Sequence, residues 1–322
     1  MDDRIVTALG AVIGVPLLLG GYLWVTEQVL SRLSRRLQPV LRPYVWVFPA
    51  VAFATVFMVL PAINTVILSF LDRRGTTFVG LDNYVFFFTN PDTIASVKNN
   101  ILWLIFFTGF ATIGGLLCAI LFDRIKYETL AKTAVFLPLP ISAVASSIIW
   151  KFMYQYDPPG SVQTGTLNAT IGTLGFDPVA WLIDSTTNNF ALIFVGIWTA
   201  TGFAMTIISA SLKSIAAELF EAARVDGASE LRVVWTIVVP LLLPTLTVVG
   251  TTLTIQALRV FDIPYVLTSG AYGTDVIASQ MFTRLQNGQY DRASTVAVVL
   301  LVTIIPLMLL NIRRFRQQEE IR

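Results

Sequence analysis

Histidine is absent from all 322 residues, cysteine occurs once, and only 13% of the chain is charged. Each shortage removes a class of function. Without histidine the chain lacks the commonest general base and metal ligand near neutral pH. No paired-cysteine spacing, H-E-x-x-H or G-x-S-x-G stands in for it. No catalytic site, metal or cofactor is therefore expected in this chain. No G-x-x-x-x-G-K-[ST] phosphate loop occurs either, so nucleotide chemistry must come from another polypeptide. The single Cys118 lies in an apolar run, which rules out an intrachain disulfide and leaves the compartment undetermined.

The shortage of charge is informative in itself. A soluble domain carries about a quarter charged residues. With 55% hydrophobic residues and a mean hydropathy of +0.72, this sequence reads as an integral membrane protein. A formal net charge of +2 gives no footing for nucleic acid. Apolar stretches long enough to cross a bilayer occupy 5–26, 45–71, 101–122, 133–150, 190–212, 233–258 and 294–312. The expected fold class is all-α, a polytopic helix bundle in the lipid bilayer. The acidic start, Asp2-Asp3, fits a signal peptide poorly. Gly10 and Gly14 form a GxxxG pair open to close helix packing or to chance spacing.

Pro138 and Pro140 interrupt the fourth stretch. The backbone groups they free are tolerable only against protein or a water-lined cavity. None of the seven stretches carries a carboxylate, whereas carriers driven by protons or sodium commonly place one within a span. Arg259 and Asp262, three residues apart at the outer end of the sixth stretch, are within pairing reach on a helix.

Lysine and arginine set the orientation. The linkers after stretches one, three and five, together with the tail, hold Arg32, Arg35, Arg36, Arg42, Arg124, Lys126, Lys132, Lys213, Arg224, Arg232, Arg313, Arg314, Arg316 and Arg322, fourteen of the 22. The positive-inside rule places these segments in the cytoplasm, with the N-terminus outside and the C-terminus inside.

One cytoplasmic linker is helical by composition. Ala216 to Arg224 are strong helix formers, with Ile215, Leu219, Ala222 and Ala223 at helical spacing. Gly227 stands where a helix needs a left-handed terminal residue, and Ser229 can cap a second helix running into 233–243. The local product is a short amphipathic helix, a sharp turn and a helix that enters the bilayer.

This stretch, with Glu221-Ala222-Ala223, Asp226-Gly227-Ala228-Ser229, Ile237 and Pro240, resembles the "EAA" signature of permease subunits of bacterial ABC importers. The resemblance implies a six-span importer-permease core over 45–322, preceded by one extra N-terminal span and basic linker over 1–44. It implies that the loop about 213–232 couples to a separate ATPase subunit through Leu219, Phe220, Glu221, Ala222, Ala223, Asp226 and Gly227. Docking energy is expected mainly from Leu219, Phe220, Ala222 and Ala223. ATP and Mg would sit on that partner, present as a dimer. A second permease subunit and an extracytoplasmic sugar-binding protein complete the expected assembly in the bacterial inner membrane.

Within the family the likeness is to sugar-type permeases, and among them to α-glucoside permeases. It rests on Phe78-Val79-Gly80-Leu81-Asp82-Asn83-Tyr84, Asn99-Asn100-Ile101-Leu102-Trp103, Ile149-Trp150-Lys151-Phe152, Phe261-Asp262-Ile263 and Asn311-Ile312-Arg313-Arg314-Phe315. Many sugar permeases carry Gly-Gly-Pro after the outer-loop Thr; here Thr268 is followed by Ser269-Gly270-Ala271-Tyr272. By resemblance to maltodextrin-type permeases, Thr199, Phe203, Gln256 and Val260 line the sugar path. Another solute of an ABC permease, and a stand-alone channel or carrier, remain as alternatives.

Overall fold

The computed structural model describes residues 3–34 and 36–319; the side chains of 3–6, 8, 9, 11 and 310–319 are not part of that description. Arg35, Arg322 and the side chains of the 311–315 segment therefore lie outside the described residues. Regular structure among the described residues is helical, with one isolated bridge between Leu71 and Phe78. In chain order the helices are α1 (Asp3–Ser31), α2 (Gln38–Leu68), α3 (Asp82–Thr89), α4 (Pro91–Phe122), α5 (Glu128–Phe136), α6 (Ala143–Met153) and α7 (Thr166–Thr173). They continue as α8 (Asn188–Leu212), α9 (Ala217–Val225), α10 (Glu230–Leu258), α11 (Asp262–Thr268), α12 (Ile277–Gln286) and α13 (Tyr290–Glu319). Two compact units result, Met1–Thr65 and Val66–Arg322.

Six of these helices (α1, α2, α4, α8, α10 and α13) are long and apolar enough to cross a membrane. The stretch 133–150 is not one continuous helix, although its pieces run along α8 from Lys132 at Ser209 to Tyr154 at Ala191. It divides into the end of α5 and the first eight residues of α6, with a non-helical connection over 137–142. Pro138 and Pro140 account for the break, since neither offers the N–H that a helix ladder needs. The chain then restarts at Ser142, whose hydroxyl accepts from the Ala145 N–H at 3.2 Å.

Prolines also leave their mark inside α2 and α10. Each contains a wider π-helical turn, Thr55–Val59 and Val234–Val238, two residues before Pro61 and Pro240. A wider turn has room for the proline ring against the carbonyl four residues back, while α4 widens likewise at Trp103–Phe107 with no proline beside it.

In the first unit, the Tyr22 hydroxyl donates to the Val45 carbonyl at 2.7 Å, and Arg42 of the basic linker pairs with Glu27 at 2.6 Å. Large apolar side chains such as Leu18, Trp24 and Phe53 are exposed on its helices, as lipid-facing positions require.

The second unit is built around α8. Ala191, Leu192, Ile193, Val195, Ala200, Ala204, Met205 and Ile208 are buried while Phe190, Phe194 and Ile207 stay exposed, so other helices enclose most of its surface. Small residues permit that enclosure. A Cβ on Gly115 of α4 would stand 2.5 Å from the Ala204 Cβ and 2.8 Å from the Met205 backbone nitrogen. One on Gly202 would stand 2.6 Å from the Val135 carbonyl oxygen, so the end of α5 is pressed directly on α8.

Asparagines pin the end of the bundle remote from α9. Asn99 donates to the carbonyls of Gly273 and Asp275, both at 2.7 Å. Asn100 donates to the Ala257 carbonyl at 3.2 Å and accepts from the Ile277 N–H at 2.8 Å. Asn188 donates to the Tyr272 carbonyl at 2.7 Å. The loop that departs from the Gly-Gly-Pro pattern is thus tied down by the Asn99-Asn100 segment. It has left-handed backbone at Ser269, Gly270, Tyr272 and Gly273. Asp275 within it is held above the usual carboxylate range by burial, against hydrogen bonds from Ser279 and Gln280.

Candidate functional sites

Two sites take shape, one at each functional stretch of the sequence. The first is the α9 turn. The helix ends at Asp226, and Gly227 adopts φ +70. The Gly227 N–H bonds the Arg224 carbonyl and the Ala228 N–H bonds the Ala223 carbonyl, each at 3.0 Å. These are the two bonds of a Schellman stop, and they satisfy carbonyls that would otherwise end the helix unpaired. Ser229 stands at the start of α10 without a side-chain capping bond; its carbonyl accepts from the Val233 N–H at 3.0 Å instead.

The faces of α9 sort its residues. Ala223 is buried, and Phe220 packs half-buried against the subunit's own core, as does Ile215 just before the helix. Leu219, Glu221, Ala222 and Asp226 are exposed, and so is Val225, 87% accessible. Phe220 and Ala223 therefore hold the helix to its own chain. The outward apolar row is Leu219, Ala222 and Val225, three residues apart in turn. Sequence reasoning missed Val225 because spacing alone cannot tell the inward from the outward side.

Charges flank α9 at both ends. Glu128 in the first turn of α5 accepts from Lys132 at 2.7 Å and pairs with Lys213, just past α8, at 2.6 Å. Lys132 also donates to the Ser209 hydroxyl. The hydrogen bond from Lys132, then that from Lys213, pulls the Glu128 carboxyl down to about 2, so it is ionised throughout the neutral range. Glu230, which opens α10, pairs with Arg124 at 2.5 Å and with Arg224 at 3.6 Å. Of these contacts, only the Glu128–Lys132 pair has the i,i+4 spacing visible in sequence.

The second site is a cleft of about 240 Å³ where α4, α8 and the α10–α11 joint meet. Its wall includes Thr199, Gln256 and Val260, together with the rings of Trp103, Phe107 and Phe261. Phe203, one turn beyond Thr199, packs against the core and does not line the cleft. Gln256 is exposed and its side-chain amide has no hydrogen-bond partner among the described residues. The buried Trp103 indole N–H likewise has none. Arg259 and Asp262 both border the cleft but form no ion pair. The helix stops at Arg259 (φ −101, ψ 8) and restarts at Asp262, so the two do not share a helical face.

The comparisons with known proteins bear on both sites. Residues 111–316 match the family model described as binding-protein-dependent transport system inner membrane component. The chain belongs to that family. The match takes in α9, its Gly227 turn and the Gln256 segment. The osmoprotective compounds uptake permease of Synechocystis sp. is 49% identical over 278 residues, 86% of this chain and 100% of its own. The α-glucoside transport system permease of Rhizobium meliloti is 38% identical over 328 residues, covering 97% of each chain. In three dimensions the chain resembles a bacterial ABC transporter that imports the acidic polysaccharide alginate, with TM-score 0.74 and 25% identity over 87% of this chain and 98% of that one. The protein is a multi-span, helical ABC permease subunit of the inner membrane, a transport component.

Proposed function

We propose that this permease forms one half of the translocation pathway for an α-glucoside-like disaccharide, and that α9 couples it to a separate ATPase subunit. The observation that carries the solute reading is the unpartnered Gln256 amide beside Thr199, in a cleft walled by aromatic rings. Sugars are held by planar hydrogen bonders and aromatic faces. At about 240 Å³ the cleft falls short of the ~300–1,000 Å³ of a complete small-molecule site, as a half-site would. A second, related permease supplies the other half.

The excess of lysine and arginine on the α9 side supports a cytoplasmic α9, with the N-terminus outside and the C-terminus inside. Two ATPase copies with ATP and Mg then bind on that side, and a sugar-binding protein delivers from the other. Leu219, Ala222 and Val225 make the apolar docking row, with Glu221 and Asp226 at its edge. Exposed ion pairs contribute only about 0–1 kcal/mol, so the apolar row dominates. The name of the Synechocystis relative favours an osmoprotective compound as the second reading.

Uptake kinetics test the cleft. Gln256→Ala combined with Thr199→Val should raise the KM for the transported sugar about tenfold, the loss of roughly one hydrogen bond to substrate. Competition among trehalose, maltose and sucrose identifies that sugar. An unchanged KM in the double variant would remove these residues from the path.

A further inference from the structure

Helix α9 is short, and it joins its neighbours through non-helical residues on both sides, 213–216 and 226–229. Nine-residue helices are marginal alone, and α9 packs broadly on no other helix among the described residues. Phe220 and Ala223 anchor one face of it to the core, which leaves its two ends to be fixed. The candidates are the carboxylates of Glu128 and Glu230, which stand at its two flanks.

We propose that Glu128 and Glu230 are positioning residues that clamp the coupling stretch, at both ends, to the single loop between α4 and α5. At the leading end, Glu128 of that loop's far side holds Lys213, where α8 gives way to the coupling stretch, at 2.6 Å. At the trailing end, Arg124 of its near side holds Glu230 at 2.5 Å. Arg224 in the last turn of α9 reaches the same Glu230 carboxylate at 3.6 Å, across the Gly227 turn. Every charge sits where its helix favours it: Glu128 and Glu230 in first turns, Arg224 in a last turn and Lys213 just past one. The inference rests on the coupling reading above and adds a mechanical element to it. A push on α9 is delivered to α4 and α5 as well as to the two helices that flank it in the chain, so all four move together.

The test uses the assembled transporter in proteoliposomes and reads solute transported per ATP hydrolysed. Glu128→Gln with Glu230→Gln should lower that ratio at least threefold while the ATPase still co-purifies. Glu230→Arg, which places three arginines together, should lower it further. The exchange Arg124→Glu with Glu230→Arg should restore it to within twofold of the parent, a rescue that mere helix stability does not predict. A parental ratio in both carboxylate variants, or no rescue by the exchange, overturns the clamp. Val225→Asp with Leu219→Asp tests the underlying coupling reading separately. If that variant still binds the ATPase and transports normally, α9 is not the docking helix, whatever the clamp variants do.

Discussion

Gly227→Val should reduce transport more than tenfold while the subunit still inserts and folds. The residue holds φ +70, and a left-handed conformation costs an ordinary L-residue about 1–2 kcal/mol, more when it is β-branched. Space is not the obstacle, because a Cβ at this position meets nothing within 4 Å. The obstacle is the backbone alone, and it sits at the joint between α9 and α10. A valine there relaxes to negative φ, the bonds from Gly227 and Ala228 back to Arg224 and Ala223 are lost, and α9 points elsewhere. Gly227→Asn separates this cause from bulk. Asparagine tolerates left-handed backbone, so this variant should keep at least half of the parental transport. Uptake assays on both variants, normalised to subunit level, check the pair. Equal transport in Gly227→Val and the parent would mean that the turn transmits nothing.

Gly115→Val should have the largest effect on the subunit itself. Its Cβ would lie 2.5 Å from the Ala204 Cβ and 2.8 Å from the backbone nitrogen of Met205, and backbone inside a helix cannot step aside as a flexible side chain can. A clash with helix backbone puts this at the upper end of overpacking costs, about 3 kcal/mol, roughly a hundredfold in the folded-to-unfolded ratio. Folded subunit in membranes, measured by fluorescence-detected size exclusion, should fall at least tenfold. Gly109→Val on the same helix is the control, since a Cβ there meets nothing within 4 Å and the level should stay within twofold. If the two variants accumulate equally, the close approach of α4 to α8 is not what holds the bundle.

Both predictions concern glycines, but only one was legible in the sequence. Gly227 could be read because a left-handed stop follows from local order: helix formers over 216–224, then glycine. The helix forms over 217–225 and turns as that order requires. Gly115 could not be read, since its role depends on which residue of α8 faces it, and that is a fact of packing between distant segments. The same divide separates the other readings. Pro138 and Pro140 announced the interrupted fourth stretch, which the described residues show as two shorter helices beside six long ones. Thr199, Gln256 and Val260 meet in one cleft, while Phe203, on the same side of the same helix, packs away from it. The Glu128 and Glu230 ion pairs join residues far apart in the chain, and only the i,i+4 pair within α5 could be anticipated. Phe220 and Ala223 turn inward and Leu219, Ala222 and Val225 outward, because an amphipathic pattern gives the faces of a helix without saying which neighbour each one meets.

The most direct test of the account as a whole is ATP hydrolysis in proteoliposomes that hold this subunit with its co-purifying partners and binding protein. The account predicts that one disaccharide, presented with the binding protein, stimulates hydrolysis severalfold, and that Gly227→Val abolishes the stimulation. Uptake that proceeds without any ATPase subunit, or stimulation that survives Gly227→Val unchanged, would contradict it.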